Sequence, residues 1–322
     1  MSRSPNVYHG QMTITVAWVR QNKSTSELLV ASDSRLRAYG AIDQAQKLFR
    51  LERGDCCLGF CGDAQIAYPL FVQVGTTLNN FVRTRTRAED VTEIADLVGR
   101  VLNNLITSWD LKASEKAEQL ASTRVLLAGW SWKHRRFDIG FFEFDEGTFT
   151  FHHRRMIMPY PWRENRRSLV FIGDYEHEYR AALAEVLGRR HGVQPRQVET
   201  RKVVNFDYEP VEALHLLLQQ ASSGGNLPLI GGAPQLIKVY PHGNDLPIGI
   251  RTDADKHFLF GRRLFEWEKT SYPILDLSRG APQIYYPMAA IPLPSALSDG
   301  VEIRNDTLES IGAAISQEGP EN

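Results

Sequence analysis

Apolar and polar positions alternate along this chain in blocks that change period several times. Residues 12–19 (MTITVAWV) are rich in β-branched side chains and predict a strand. A polar stretch from Gln21 to Ser26 predicts a hairpin connection, and Leu28–Ser32 a second strand that runs into Asp33-Ser34-Arg35. After a loop through Gly40, residues 46–52 and 56–61 predict a further hairpin turning at Arg53-Gly54-Asp55. The period then lengthens. Leu70, Phe71, Val74, Leu78, Phe81 and Val82 recur at helical spacing between Ala64 and about Arg83. A sharper stripe runs through Val91, Ile94, Leu97, Val98, Val101, Leu102, Leu105 and Ile106 and predicts a helix from Glu89 to about Trp109, packed on a sheet.

Strand patterns return at 123–130, 136–144, 147–154 and 168–173, with turn signals at Lys133-His134 and Glu146-Gly147. Helices are predicted at about 175–188 and 210–221, the second with Pro210 in its first turn. A last strand pair is expected at 235–240 and around 257–261. Strands, two helices, strands, two helices, strands: this order predicts an α+β fold in which two antiparallel sheets pack between helical layers, a four-layer αββα sandwich. From about Lys269 the text changes, with Pro273, Pro282, Pro287, Pro292 and Pro294 and little periodicity before Thr307. That tail reads as an extended arm clinging to the surface or to a neighbour, with a disordered end. The expected organisation is therefore a segment 1–12, a domain over 13–262 and a Pro-rich extension over 263–322.

Composition narrows the function classes. A 43% hydrophobic and 23% charged chain has the make-up of an ordinary globular protein. Net charge is −1 with both signs dispersed, so the electrostatic footprint of a nucleic-acid binder is missing. No apolar run approaches the roughly 20 residues of a membrane helix, and residues 1–10 lack the apolar core of a secretory signal. Cys56, Cys57 and Cys61 are odd in number and lack scaffold or zinc-ligand spacing. They read as reduced, packed thiols in a cytoplasmic protein. His152-His153 beside Arg154-Arg155 reads as exposed strand residues, and His177 with Asp174 and Glu176 as surface charge.

Candidate chemistry gathers near the start. Thr13 opens the first strand. A threonine hydroxyl is a weak nucleophile that needs an adjacent base. If Thr13 is the first residue of the mature chain, its own α-amine, with an ordinary pKa of about 7.7–8.0, supplies that base. Lys47, at the start of the third strand, would lower the hydroxyl pKa and stabilise negative charge. Asp33, at the end of the second, supplies the carboxylate such a lysine needs. Gly62, before the first helix, offers a backbone N–H for an oxyanion.

The segments TITVAWV, LLVASDSRLRAYGAIDQAQKLFRL and CCLGFCGDAQIAYPLF resemble the amino-terminal half of proteasome β subunits and their bacterial relatives. Those are N-terminal nucleophile hydrolases. The match covers roughly residues 12–75, and the order of elements agrees to about residue 262. On matching positions the resemblance assigns nucleophile, carboxylate, lysine and oxyanion glycine to Thr13, Asp33, Lys47 and Gly62. It implies a threonine peptidase acting on peptides or unfolded proteins, assembled with copies of itself into a ring or related oligomer. It implies no cofactor and no metal, and leaves a regulatory partner open. The chain departs from the family pattern where the family carries active-site serines. Asp174 follows Val170-Phe171-Ile172-Gly173 in one such place. In the other stands Ile230 of Ile230-Gly231-Gly232, or Ser223 in an alternative register. Residues 1–12 read either as a propeptide cut before Thr13 or as a start misplaced upstream of Met12. Two other functions stay open: a non-catalytic structural subunit that keeps residues 1–12, and an amidase acting on small molecules.

Overall fold

The computed structural model describes residues 13–21, 25–37, 40–109, 117, 119–157, 169–192, 205–254, 256–268 and 271–286. The expected segment 1–12 and the extension beyond 286 lie outside the described residues.

Strands β1 (Ile14–Gln21) and β2 (Ser26–Ser32) pair antiparallel from Thr15↔Ser32 to Gln21↔Ser26. Their near-continuous apolar text has a direct cause: both faces of the pair meet protein. Ile14, Val16, Trp18, Leu29 and Ala31 enter one core, whereas Ala17, Val19, Leu28 and Val30 enter another. Each large side chain buried this way is worth about 1.5–3 kcal/mol. A short hairpin follows, β3 (Leu36–Arg37) with β4 (Ala41–Ile42).

A five-stranded antiparallel sheet is built from β5 (Leu48–Arg50), β6 (Cys56–Cys61), β7 (Arg124–Ser131), β8 (Arg136–Asp145) and β9 (Thr150–Ile157), in that order. Between β6 and β7 the chain forms α1 (Ala64–Asn80), α2 (Val82–Arg85) and α3 (Val91–Ser108). Helix α1 starts where the Asp63 carboxylate accepts the Gln65 amide. It stops at Asn80 rather than near 83 because Phe81 turns extended, at ψ 116. Helix α3 opens with a capping box: Asp90 takes first-turn amides while the Glu93 side chain returns to the Asp90 N–H. Ile66, Phe71, Val98 and Leu102 of the helices share a core with Leu58, Phe60, Val125 and Leu127 of the sheet.

The nine-stranded sheet runs β10 (Leu169–Gly173), β1, β2, β11 (Gln235–Val239), β12 (Asp245–Asp253), β13 (Lys256–Leu259) and β14 (Arg262–Arg263). Strand β15 (Ile274–Asp276) joins β12 in parallel, and β16 (Gln283–Tyr285) pairs with β15. Helices α4 (Glu176–His191) and α5 (Glu209–Ser222) pack on this sheet through Tyr179, Leu183, Val211 and Leu214. A third core joins the two sheets through Val30, Ile237 and Val239 of one and Cys57, Leu126, Ala128 and Phe137 of the other. The fold is mixed α+β with largely antiparallel sheets.

Three differences from the expected elements have physical reasons. Strand β12 has no clear signal in the sequence, because Pro247 and Gly249 interrupt its pattern. Pro247 is tolerated because Asp245–Ile248 pairs with β11 only, and β13 and β15 begin at Gly249 and beyond. Strand β9 starts at Thr150 rather than 147, the intervening residues serving as turn, with Phe149 at φ 54. The boundary at 262 also moves: Tyr272–Tyr286 belongs to the same compact unit as the residues up to Glu268, since β15 and β16 complete the large sheet.

Candidate active site

The ends of three strands converge on one buried point. Thr13, immediately before β1, Asp33, immediately after β2, and Lys47, immediately before β5, are all fully buried. Lys47 Nζ donates to Thr13 Oγ1 at 2.8 Å and to Asp33 Oδ1 at 2.9 Å. The Asp33 carboxylate is held by four donors. Oδ1 accepts the Ile14 amide at 3.1 Å besides the ammonium, and Oδ2 accepts the amides of Arg35 at 3.0 Å and Gly231 at 3.3 Å. Such a set fixes the carboxylate rigidly in place.

Burial pushes the Lys47 ammonium below the ordinary lysine value of 10.5, while the Asp33 charge and hydrogen bond pull the other way. Cys61, on the end of β6, lies close enough to be felt by Lys47; burial pushes its thiol up to about 12. This cysteine is a neutral packing group.

Gly62 follows Cys61 at φ 121, and a Cβ there would press on the backbone of Ser122 and Thr123. The position therefore demands glycine on steric grounds alone. Thus the structure brings Thr13, Asp33 and Lys47 into direct contact and sets Gly62 at the neighbouring strand end.

Asp174 and Ile230 also reach this neighbourhood. The Asp174 amide donates to the Thr13 carbonyl at 2.9 Å, just past the Ile14↔Gly173 pair. Gly173 is at φ 123, and a side chain there would collide with the Thr13 carbonyl oxygen. Of the two registers open from sequence, Ile230-Gly231-Gly232 is the one at the site. Gly231 binds Asp33 and accepts the Ser34 amide at 2.9 Å, whereas Ser223-Gly224-Gly225 is exposed at the end of α5.

Several polar groups at the site carry no sequence motif. Ser32 Oγ and Thr15 Oγ1 are 2.9 Å apart, Ser32 reaches the Ile14 carbonyl at 3.0 Å, and Thr15 reaches the Phe60 carbonyl on the facing sheet at 3.2 Å. Gln235 is fully buried against the segments that carry Asp33 and Lys47. A hydroxyl pair two residues inside a β hairpin was the available signal for the first two; nothing marked the glutamine.

Other candidates resolve as structural side chains: the charged turn residues are buried, and His152 and His153 lie exposed on β9 as expected. Arg53 and Asp55 of the Arg53-Gly54-Asp55 turn are buried in a mutual ion pair at 2.5 Å. The His153 ring stacks on Phe142 at 4.7 Å between centroids. Among the described residues no group of three or more His, Cys, Asp or Glu is arranged to hold a metal ion. No helix among them is long and apolar enough to cross a membrane. No protein-family model matches the chain, and no curated protein matches it.

Proposed function

We propose that this chain is a threonine-type amide hydrolase, a proteasome-like peptidase working within an oligomer of its own copies. The fold we infer with it is the four-layer αββα sandwich of N-terminal nucleophile hydrolases. One observation carries the reading: a buried lysine bridges a threonine hydroxyl at 2.8 Å and a four-fold-held aspartate at 2.9 Å. A surface ion pair needs no such enclosure, and an ion pair serving stability alone is poorly repaid for its desolvation.

In this proposal residues 1–12 are removed and Thr13 carries a free α-amine. Thr13 Oγ1 attacks the substrate carbonyl as the α-amine takes its proton. The Lys47 ammonium, fixed by Asp33, stabilises the forming alkoxide, and the Gly62 N–H receives the oxyanion. As the C–N bond breaks, the α-ammonium returns the proton to the leaving amine. Water, activated by the same α-amine, hydrolyses the ester and restores Thr13. The substrate is an extended peptide lying as an added strand between the segment after Asp33 and the one at Gly62. This mechanism calls on no metal or organic cofactor.

A second reading has an observation of its own. Ile230 is fully buried beside the Asp33-binding glycine and offers no hydroxyl, which suits a non-catalytic subunit of the same fold. Intact-mass measurement of the purified protein, followed by reaction with a threonine-directed electrophile, separates the two. The peptidase reading expects a chain beginning at Thr13 with one covalent adduct, lost in Thr13→Ala. A chain that keeps residues 1–12 and forms no adduct overturns it in favour of the structural subunit.

A further inference from the structure

Gln235 opens β11 in the nine-stranded sheet, yet its side chain serves the other sheet. Its Oε1 accepts the amides of Lys47 at 3.0 Å and Leu48 at 3.3 Å, where the chain enters β5. Its Nε2 donates to the Asp33 carbonyl at 3.0 Å, the Ala45 carbonyl at 2.8 Å and Ser34 Oγ at 3.2 Å. Within the five-stranded sheet β5 has β6 as its neighbour on one side, and on its other side Gln235 takes the place of a strand. A single neutral amide thus ties the end of β2, the approach to β5 and the start of β11.

Chemistry restricts what can stand here. A carboxamide offers acceptor lone pairs at one end and N–H donors at the other. Here two amides meet the acceptor end, and two carbonyls and a hydroxyl meet the donor end. A carboxylate would set negative oxygen against the carbonyls of Asp33 and Ala45. A hydrocarbon would strand both pairs of backbone groups in the interior, where unmet polar groups are costly. The tied segments are the ones that set the distance between Lys47 Nζ, Asp33 Oδ1 and Thr13 Oγ1, and catalytic groups must be held to about 0.5 Å.

We propose that Gln235 is a positioning residue that keeps Lys47 and Asp33 in register with Thr13 without touching substrate. The inference rests on Thr13 being the nucleophile. The charged and titratable groups acting on Lys47 are Asp33 after β2, Cys61 on β6, and Arg35 and Asp43 around the β3–β4 hairpin. None of these groups is removed when residue 235 is changed.

The test uses the full chain, with Gln235→Met and Gln235→Glu beside the unchanged protein. Active sites are counted by electrophile labelling, so that kcat for a fluorogenic peptide is expressed per labelled site. Gln235→Met is expected to lower kcat by about 100-fold with KM within about twofold, the size of effect that small misplacement produces. Gln235→Glu covers the case in which the first variant does not fold. Its introduced carboxyl regains a donor when protonated, so its kcat relative to the unchanged protein is expected to rise as pH falls. Variants with unchanged kcat per labelled site and a pH-independent ratio overturn the positioning role while leaving Thr13 as nucleophile. An unchanged protein that keeps residues 1–12 and takes no label overturns the functional reading, and this inference with it.

Discussion

Two buried lysine–carboxylate pairs sit near opposite ends of β2, and only one adjoins a candidate nucleophile. At the carboxyl end, Lys47 faces Asp33 and Thr13. Toward the amino end, Lys238 of β11 lies 3.1 Å from Glu27, with its ammonium 6.0 Å and 5.6 Å from the ring centres of Tyr208 and Tyr240. Burial pushes both lysines below their ordinary value, and in both an acidic partner opposes the shift. The carboxylates differ. Asp33 takes its other bonds from backbone amides, whereas Glu27 is shared with Arg20 at 3.0 Å. The second lysine is also walled by phenols that burial pushes up, Tyr240 to about 12, so these two rings stay neutral. A desolvated ammonium is thus no sign of chemistry by itself. What separates the two ends is a small hydroxyl on a residue that would begin the mature chain.

The comparison breaks most decisively through activity. Thr13→Ala and Lys47→Met are each expected to lower turnover by on the order of 10⁴-fold, as removal of one member of a catalytic unit does. Lys238→Met should stay within about twofold; peptide-hydrolysis assays on the three variants check this. Stability gives the next largest contrast. Lys47→Met leaves the Asp33 charge buried with amides only, at a cost of about 3–5 kcal/mol. Lys238→Met leaves Glu27 its arginine and should cost about 1–3 kcal/mol, both read from urea unfolding.

A finer contrast lies in pH. Each lysine binds its proton less tightly folded than unfolded, so between its lowered value and 10.5 the unfolded chain holds more protons and stability rises with pH. Removing either lysine should flatten that rise, measured by denaturant unfolding on the alkaline side. The smallest expected effect is on Glu27→Gln: turnover unchanged, because Glu27 pairs with Lys238 and Arg20 near the opposite end of β2 from Asp33.

Legibility followed the range of the interactions involved. The stripe of α3 announced a helix because its buried residues recur at fixed spacing, and the hairpin of β1 and β2 because its partners are neighbours in the chain. Strands β12, β15 and β16 hid behind prolines and glycines that only their partners make acceptable. At the candidate site, Thr13, Asp33 and Lys47 were readable through three short motifs in register. Gln235 was not, since a lone glutamine opening an apolar strand shows its purpose only when its backbone partners are placed around it. Ile230-Gly231-Gly232 stood between: two registers fitted the text, and the Gly231 contact to Asp33 chose one.

The span of that last contact has a further consequence. Gly231 and Gln235 meet Asp33 across 198 and 202 residues of sequence. During synthesis, therefore, the polar cluster around Thr13 stays unfinished until most of the polypeptide has left the ribosome. Long-range pairings of this kind form slowly. If the chain trims its own leader, a distant downstream segment acts as the timer, and unmasking of the amino group is delayed until the protein is nearly whole.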